Sequence, residues 1–331
     1  MKIGILGATG AVGRQMLECI DEHKLPAEEI RLFASERSRG TKIAYKGEEL
    51  TVDTVSLEKL KGLDYVLGAV SNGLSKEYRP LIKEAGAVYV DNSSAFRLEE
   101  EVPLVVPEIN GEDALKHNGI IANPNCSTII SMMALAPLAK LSPIKALNAC
   151  TYQAVSGAGI GGIRELESQI ADIAAGNPVS AKVFPAQIAF NCIAEIGSYT
   201  DNGYTTEEMK MQNEGRKIMH LPALNVTCTC VRVPVLRSHS ISVTLRTERK
   251  ISVDEARAAI AAAPGCRLVD DLASKSYPMP LDTSDQDIVF VGRIRDDLTS
   301  ENGLSLWCCG DQIRKGAATN AIQIAELLLN Q

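Results

Sequence analysis

The chain has 331 residues and a formal net charge of −7, because 34 Lys and Arg residues stand against 41 Asp and Glu. With 45% hydrophobic and 23% charged residues it falls in the range of globular proteins, and its length predicts about two domains of ~150 residues each. The negative balance excludes a general binder of nucleic acid or anionic membranes, since its long-range field repels polyanions.

The nine cysteines are too sparse for a disulfide scaffold, and their number is odd. Cys228 and Cys230, like Cys308 and Cys309, lie too close along the chain for ordinary bridges. There is no CxxC pair and only four histidines are present, so no metal site is expected. This cysteine usage predicts a reduced protein of the cytoplasm.

Two apolar segments could contact a membrane, but one is short and the other is interrupted. Ile3–Ala8 is too short for a signal peptide and is followed by glycines and an arginine. The longest uncharged stretch, Gly119–Ala139, contains two asparagines and two prolines. It therefore predicts a buried strand, turn and helix, and no membrane partner is expected.

Short apolar runs alternate with helical patterns over residues 1 to about 125, which predicts parallel βαβ units. The strands are expected at Lys2–Leu6, Ile30–Ala34, Tyr65–Val70, Ala87–Val90, Leu104–Val106 and Ile120–Ala122. The first helix carries Val12, Met16, Leu17 and Ile20 on one face. Small or polar residues follow most of these strands, and ligands of open parallel sheets bind beyond the carboxyl ends of the strands.

A glycine-rich turn, GATGAVG from Gly7 to Gly13, follows the first strand and opens the first helix. Glycines permit a tight turn and close approach of the backbone, and the N-terminus of the helix faces a pyrophosphate. We therefore predict a dinucleotide site in a Rossmann-like domain. The alternative is a glycine-rich turn in a sheet that binds no nucleotide.

The second strand is followed by Ser35-Glu36-Arg37-Ser38. An acid at this place holds the ribose 2′-hydroxyl of NAD, whereas an arginine accommodates the 2′-phosphate of NADP. Two serines and an arginine offer donors to a phosphate, so NADP(H) is the favoured cofactor, and a solvated polar loop is the alternative. The predicted cofactor-binding residues of this half are Gly7, Thr9, Gly10, Ala11, Val12, Gly13, Ser35, Arg37, Ser38 and Ser71.

Cys126 lies where a buried strand joins an apolar helix, in the segment Asn123-Pro124-Asn125-Cys126-Ser127-Thr128. The dipole and the free amides of a helix N-terminus favour the thiolate over the thiol. The cysteine and the glycine turn both follow parallel strands, so they are expected at the same edge of the sheet. The other eight cysteines lack this context and are expected to pack in the interior.

A cysteine thiolate beside a nicotinamide implies aldehyde chemistry. The thiolate adds to an aldehyde, and loss of hydride gives a thioester; in reverse, the thiolate displaces a leaving group from an acyl carbon and the thioester is reduced. Such chemistry needs a general acid/base near the sulfur. Of the four histidines, His239 lies between two predicted strands and is the best candidate, with a hydrogen-bonded core histidine as the alternative.

Beyond about residue 143 the pattern changes to longer alternating strands with helices between them, which predicts an α+β domain on a largely antiparallel sheet. Strands are expected at Leu224–Arg232, Ser240–Thr247 and Ile288–Arg295, and helices at Ile163–Ala174, Thr206–Met219, Ser252–Ala262 and Gly316–Leu329. Arg232 shares a strand face with Cys228 and Cys230, so we expect a buried guanidinium that needs an anionic partner.

In their order along the chain, these motifs resemble those of bacterial aspartate-β-semialdehyde dehydrogenases. The resemblance covers essentially the whole chain and rests on Gly7–Gly13, the PNCST motif around Cys126, Tyr152–Gly159, Glu207–Lys210 and Arg232–His239. It implies NADPH-dependent reductive dephosphorylation of L-aspartyl-4-phosphate to aspartate semialdehyde through a Cys126 thioester. The product feeds lysine, diaminopimelate, threonine and methionine synthesis.

The resemblance also implies roles for individual residues. The implied catalytic residues are Cys126 as nucleophile, His239 as acid/base, Gln153 and Asn125. The implied substrate-binding residues are Arg232 for the α-carboxylate, Glu207 for the amino group, and Lys210 and Arg97 for phosphate. The implied residues near the cofactor are Ser156, Gly157 and Asn320. From the residues alone, the default interpretation of Glu207 and Lys210 is an i, i+3 surface ion pair, and a surface charge is an equal alternative for Arg97.

In this family the final helix returns to the nucleotide domain. The resemblance therefore implies an NADP-binding domain formed by residues 1–126 and 315–331, and a catalytic and dimerisation domain at 127–314. The large sheet of the second domain forms the subunit interface in the family, so a homodimer or a homotetramer is expected. The substrates are the only other partners expected.

Three alternatives remain at this point. N-acetyl-γ-glutamyl-phosphate reductase has the same chemistry, but its cysteine is typically flanked by Gly and Tyr, whereas here Asn125 and Ser127 flank Cys126. A catalytically silent Rossmann-type binding protein would have no chemical need for Cys126, Gln153, Arg232 and His239 together. A cysteine acyltransferase or hydrolase would not need the glycine turn or Arg37.

Overall fold

A computed structural model describes residues 1–329 of the chain. The strands are β1 Lys2–Leu6, β2 Glu29–Phe33, β3 Lys42–Tyr45, β4 Glu48–Asp53, β5 Tyr65–Gly68, β6 Val88–Asp91, β7 Ile120–Ala122, β8 Ile144–Gln153, β9 Asn225–Arg232, β10 His239–Thr247, β11 Cys266–Leu268, β12 Val289–Asp296 and β13 Gly303–Gly310. The helices are α1 Ala11–Glu22, α2 Leu57–Leu60, α3 Asn72–Ala85, α4 Pro107–Asn110, α5 Cys126–Leu141, α6 Gly159–Ala175, α7 Thr206–Ile218, α8 Val253–Ala261, α9 Pro280–Thr283 and α10 Thr319–Leu329.

The chain divides into two compact units. Unit 1 consists of Met1–Asn125 and the C-terminal segment that starts at Ala317, and unit 2 is Cys126–Gly316. Each unit has one β-sheet, with seven strands in unit 1 and six in unit 2.

The sheet of unit 1 has the strand order β3-β4-β2-β1-β5-β6-β7. Its strands pair in parallel except for the β3–β4 hairpin, so the predicted Rossmann-like, mostly parallel architecture is confirmed. In α1, the predicted core face is buried at Met16, Leu17 and Ile20. Ala321 and Ile324 of α10 join the same hydrophobic core, so both ends of the chain build this unit.

In unit 1, one predicted strand is absent from the structure, and one hairpin in the structure was not predicted. Leu104–Val106 is not a strand, and Leu104 forms only an isolated bridge to Ala122. Proline at 103 and 107 brackets this segment, and proline cannot donate to a ladder. The β3–β4 hairpin was not predicted, because its strands are short and each buries only one residue, Ile43 in β3 and Val52 in β4, which leaves no clear alternating pattern.

The sheet of unit 2 has the order β11-β12-β13-β10-β8-β9. Its four central strands, β12, β13, β10 and β8, are antiparallel, while β11 and β9 pair in parallel at the two edges. The predicted largely antiparallel sheet is therefore confirmed. Helices α5, α7 and α8 pack on this sheet, and α5 is buried along most of its length.

All nine cysteines are free thiols. Five of them are buried, but Cys192 is exposed, so the expectation that all eight cysteines other than Cys126 pack in the interior is wrong for this one. Cys192 follows Phe190, which is also exposed and has a positive φ of 61°, on a loop that carries no periodic pattern.

Within residues 1–329, no helix combines the length and the apolarity needed to cross a membrane.

Candidate active site

The glycine turn of unit 1 is built so tightly that two of its positions have no room for a side chain. Gly7 has φ +75°, and a Cβ there would lie 2.2 Å from the carbonyl oxygen of Ala69. A Cβ at Gly13 would lie 2.4 Å from the Gly7 oxygen, so Gly13 lets α1 pack against the turn. Gly10 caps α1 without a side-chain hydrogen bond. The first amides of this helix therefore remain available to an anion.

A cavity of about 310 Å³ opens beside this turn in unit 1. It is lined by the glycine turn, by Phe33 at the end of β2 and Ser35 after it, and by Val70 and Tyr78. Ser35 begins the 3-10 turn Glu36–Ser38, and Arg37 within this turn is exposed. Ser71 stands at the start of α3, directly after the lining residue Val70. Of the predicted cofactor residues near the chain start, Gly7, Thr9, Gly10 and Ser35 line this cavity, and Ser71 directly follows a lining residue.

Cys126 is the first residue of α5 in unit 2 and is half-buried. The amides of the first helical turn have no carbonyl partner within the helix, and the helix dipole is positive at this end. On the other side of Cys126 lies Gly316, where an added Cβ would come within 2.9 Å of the Cys126 Cβ. Because Gly316 has no side chain, Cys126 fits against it.

A polar chain runs beside Cys126 through Gln153 and Glu207. Gln153 at the end of β8 is buried; its Nε2 donates to Ser127 Oγ and to Glu207 Oε1, the latter at 3.1 Å. The second Glu207 oxygen accepts from Lys210 Nζ at 2.7 Å. The Gln153 Oε1 atom is buried and has no hydrogen-bond partner among residues 1–329. An unsatisfied buried acceptor of this kind suits a donor on a bound ligand.

Arg232 at the end of β9 is only 7% exposed, which confirms the burial expected from the strand pattern. Its Nη1 donates to the Ala154 carbonyl at 2.6 Å, and its guanidinium carbon lies 5.8 Å from the centre of the Phe184 ring. Burial lowers the pKa of Arg232, while negative charge at Cys126 and Glu207 raises it. Arg232 remains cationic, because even a lowered guanidinium pKa stays far above neutrality.

His239, the first residue of β10, is fully buried. Its Nδ1 accepts a hydrogen bond from the Ala154 amide at 3.1 Å. A backbone N–H can only donate, so in the neutral ring the proton must be on Nε2. Nε2 is buried and has no hydrogen-bond partner in the described part of the chain. His239 therefore presents an unused N–H donor.

Burial, followed by the positive charge of Arg232, lowers the pKa of His239 from 6.5 to about 3, and Glu207 opposes this change. His239 is therefore neutral in the folded protein at ordinary pH. Arg232 and His239 approach each other across Gly157, where an added Cβ would lie 2.6 Å from Arg232 Nη1 and 3.3 Å from His239 Nε2.

The lowered pKa of His239 predicts a loss of stability in acid. Between the unfolded pKa near 6.5 and the folded pKa of about 3, the unfolded chain binds a proton that the folded chain does not. The free energy of unfolding should therefore decrease as the pH falls through this window, by about 1.4 kcal/mol per pH unit from this group. In His239→Asn, whose side-chain oxygen can replace Nδ1, this contribution should disappear. Urea unfolding at about pH 4.5 to 7.5 measures the difference, and equal slopes in both proteins would contradict it.

Several predicted site residues have other partners in their own units. In unit 1, Arg97 is buried, and its guanidinium donates to the carbonyls of Asn123 and Asn92, so it is not a solvated surface charge. Asn320 is also buried in unit 1 and donates to the Val105 carbonyl and to Asn123 Oδ1. Asn125 is buried and ends unit 1.

Sequence reasoning missed three residues near Cys126, Arg232 and His239. Gly316 touches Cys126, Phe184 stacks on Arg232, and Gln312 hydrogen-bonds to Ser156 Oγ and to the Ser238 amide. Gly316 stands in a run of small residues, which is a weak signal for close packing. Phe184 and Gln312 carry no local signal, because their contacts join segments far apart along the chain.

Comparison with known proteins identifies both units. The NAD binding domain of semialdehyde dehydrogenases matches residues 2–117, and the dimerisation domain of semialdehyde dehydrogenases matches residues 135–315. An aspartate-semialdehyde dehydrogenase from Synechocystis is 49% identical over 331 residues, which covers 100% of this chain and 98% of the relative. One from Bacillus subtilis is 45% identical over 336 residues and covers 99% and 97%.

A solved structure agrees with these relatives. Aspartate semialdehyde dehydrogenase II from Vibrio cholerae, in a crystal structure described as complexed with ASA, has a TM-score of 0.97 and 42% identity to this chain, with coverage of 100% of this chain and 98% of the other. Both domain models match in chain order and the identity extends over the full length, so this chain belongs to the aspartate-semialdehyde dehydrogenase family.

Proposed function

We propose that this chain reduces L-aspartyl-4-phosphate to L-aspartate-4-semialdehyde with NADPH and releases phosphate, and catalyses the same reaction in reverse. One observation carries the proposal. Unit 2 places a cysteine at a helix N-terminus in electrostatic contact with a buried arginine, which also neighbours a glutamate and a neutral histidine. Such a site offers a nucleophile, a cation for a carboxylate, an anion for an ammonium and a hydrogen-bond donor for oxygen.

The residues of unit 1 fit a dinucleotide. Gly7 and Gly13 leave no room for side chains, and the open amides at the start of α1 suit a pyrophosphate. The bound nicotinamide supplies or accepts the hydride. Glu36, the acid that would hold a ribose hydroxyl in NAD enzymes, is paired with Arg39 at 3.3 Å, whereas Arg37 is exposed beside Ser35. This arrangement supports NADP over NAD.

In the biosynthetic direction, the Cys126 thiolate attacks the acyl carbon of the aspartyl phosphate. The carbon–sulfur bond forms, the carbon–oxygen bond to phosphate breaks, and inorganic phosphate leaves with the bonding electrons. The thioester carbon then receives a hydride, and the resulting oxyanion takes up a proton. The hydroxyl of this hemithioacetal then returns its proton to the base that supplied it as the carbon–sulfur bond breaks, which regenerates the thiolate and releases the aldehyde.

Arg232 and Glu207 would bind the two charged ends of the amino acid. The Arg232 guanidinium is buried and offers a planar pair of donors to the α-carboxylate. The Glu207 carboxylate and the unpartnered Gln153 Oε1 can accept from the α-ammonium. Lys210 and Arg97 would bind phosphate, and Lys210 also donates to Glu207.

His239 would stabilise charge on the reacting oxygen. Its neutral Nε2–H is a preorganised donor in a water-poor site, so it can hold the oxyanion that follows thiolate attack or hydride delivery. Full proton transfer from His239 needs a higher pKa. A bound substrate carboxylate would raise the pKa of His239, because its charge offsets that of Arg232, the second cause after burial that lowers this pKa.

Glu207 argues against the closest rival activity. In N-acetyl-γ-glutamyl phosphate the nitrogen is acylated and carries no positive charge, so that substrate would offer Glu207 no cation in addition to Lys210, which is already bonded to it. A free ammonium matches Glu207 in charge. The observation therefore favours the aspartyl substrate.

We also propose a homodimer that forms through the sheet of unit 2. Its strands alternate between a buried set of residues and a set that is exposed or half-buried. The rings of Tyr152 and Trp307 contact each other on the second face, with centres 5.4 Å apart and planes tilted by 46°. An aromatic sheet face of this kind suits a second copy of the same domain. The free thiols fit the reducing cytoplasm that we propose as its location.

The proposal predicts a specific pattern of turnover. Purified protein should form NADPH from NADP when given aspartate semialdehyde and phosphate, and omitting phosphate should abolish sustained turnover. N-acetylglutamate semialdehyde and NAD should each be poorer substrates by at least about tenfold in kcat/KM. Absorbance of NADPH measures the rate, and hydroxylamine trapping detects the acyl phosphate. Folded protein that fails to turn over the aspartate substrate would overturn the proposal.

A further inference from the structure

Gln312 lies between β13 and α10 and is 3% exposed. Its side-chain amide joins two segments that are distant in sequence. Oε1 accepts from the backbone N–H of Ser238 at 2.8 Å, and Nε2 donates to Ser156 Oγ. The orientation of the amide is unambiguous, because the Ser238 backbone can only donate and must therefore face the amide oxygen.

Both segments hold His239. Ser238 directly precedes it, and Ser156 stands two residues after Ala154, whose amide donates to His239 Nδ1. Gly157, next to Ser156, is the position across which Arg232 and His239 approach each other. Gln312 therefore connects the segment that carries the His239 imidazole with the segment whose Ala154 amide fixes the tautomer of that ring.

The backbone at Ser238 is in an unfavourable conformation. Its φ is +71°, a left-handed value that residues with a Cβ rarely adopt, and the residue is fully buried. Such a conformation persists only where surrounding contacts hold it. The hydrogen bond from Gln312 acts on the backbone of Ser238 itself. If φ relaxed there, the chain would enter β10 in a different direction and His239 would be displaced.

The segment that carries Gln312 is itself well anchored. The Asp311 carboxylate accepts from the amides of Ile313 and Arg314 at 2.8 and 3.1 Å, and it is paired with Arg237. The Gly316 amide donates to the Asp311 carbonyl at 2.9 Å, and Gly316 packs against Cys126. One short segment thus contacts the nucleophile and restrains the histidine.

We infer that Gln312 is a positioning residue for proton transfer at His239, which acts by holding Ser238 in its left-handed conformation. The inference rests on the proposed function and deepens it, because it names the side chain that keeps the His239 Nε2–H in place. Gln312 itself contacts neither Cys126 nor Arg232 through the bonds described, so its effect should reach the chemical step and leave carboxylate binding largely unchanged.

The first test replaces Gln312 by methionine, which has a similar volume and no amide. In Gln312→Met, kcat should fall about 100-fold while the KM for aspartate semialdehyde changes less than about threefold. If this variant does not fold, Gln312→Asn replaces it, since an amide one methylene shorter cannot reach both partners. An unchanged kcat in the folded variant would overturn the inference.

The second test is a rescue through Ser238. Adding Ser238→Gly to Gln312→Met should restore kcat at least about tenfold, because glycine adopts a positive φ without the Cβ penalty. Ser238→Ala is the matched control, since it also removes the bond from Ser238 Oγ to Ser284 Oγ but retains the Cβ. Equal results with glycine and alanine would show that the loss does not arise from the backbone of Ser238.

A third measurement does not depend on activity. Nitrogen NMR of protein labelled in its four histidines, with His239 assigned from His239→Asn, should show the Nε2–H tautomer in the original protein. In Gln312→Met the signals should indicate a changed tautomer mixture or a raised pKa, and Ser238→Gly should reverse the change. Unaltered signals would overturn the inference, whereas wild-type protein without turnover would overturn only the proposed function.

Discussion

Replacing Cys126 by alanine is expected to lower kcat by at least about 10⁴-fold while NADP still binds with nearly its original affinity. The proposed reaction passes through a covalent thioester, and among the nine cysteines Cys126 is the one at the start of α5 against Gly316. The cavity beside the glycine turn, where we propose that NADP binds, lies in unit 1 and is lined by no residue of α5. The rate loss should therefore be confined to the chemical steps.

The experiment measures kcat, NADP affinity and melting temperature in parallel. Cys192→Ala is the matched control, because Cys192 is the most accessible thiol and lies on a loop. Cys126→Ser should be nearly as inactive as the alanine variant, since a hydroxyl is not ionised at neutral pH. If Cys126→Ala kept more than about 1% of the rate, or if Cys192→Ala lost activity, the nucleophile would be misassigned.

Much of unit 1 could be predicted because its signals are local. The first 22 residues contain a strand, a glycine turn with a positive φ at Gly7, and an amphipathic helix, as the sequence pattern predicts. The β3–β4 hairpin could not be predicted in the same way, because each of its short strands buries a single apolar residue, Ile43 or Val52, among exposed or charged ones. Its Lys46 and Gly47 both adopt positive φ, a turn geometry that the dipeptide alone did not indicate.

The site shows the same limit more sharply. Cys126 could be predicted from its place between a strand and a helix. Gln312 could not, because its hydrogen bonds reach Ser238 and Ser156, which lie 74 and 156 residues away in sequence. Gly157 was predicted as a residue near the cofactor from the resemblance. The structure places it against Arg232 and His239, and that prediction about the cofactor remains untested. Periodicity and motifs encode local conformation, but not contacts that form only when distant strands pair.

Replacing Arg232 by lysine is expected to lower kcat/KM for aspartate semialdehyde by about 10³-fold. A lysine has a single ammonium in place of the planar guanidinium that donates to the Ala154 carbonyl and stacks on Phe184. It therefore cannot keep these contacts and also bind a carboxylate through two parallel bonds. Burial also opposes charge on an ammonium, so a lysine in this place would tend to lose its proton.

The loss should depend on the carboxylate of the substrate. With the decarboxylated analogue of the substrate, Arg232→Lys and the original protein should differ less than about threefold, because the interaction at issue is absent from both. Arg267→Lys is the matched control: Arg267 stacks on Phe290 at 5.4 Å in the same way, but lies on the exposed strand β11. Its kcat/KM should stay within about twofold of the original. If kcat/KM of Arg232→Lys fell equally with both substrates, Arg232 would not bind the carboxylate, and its role beside His239 would be structural.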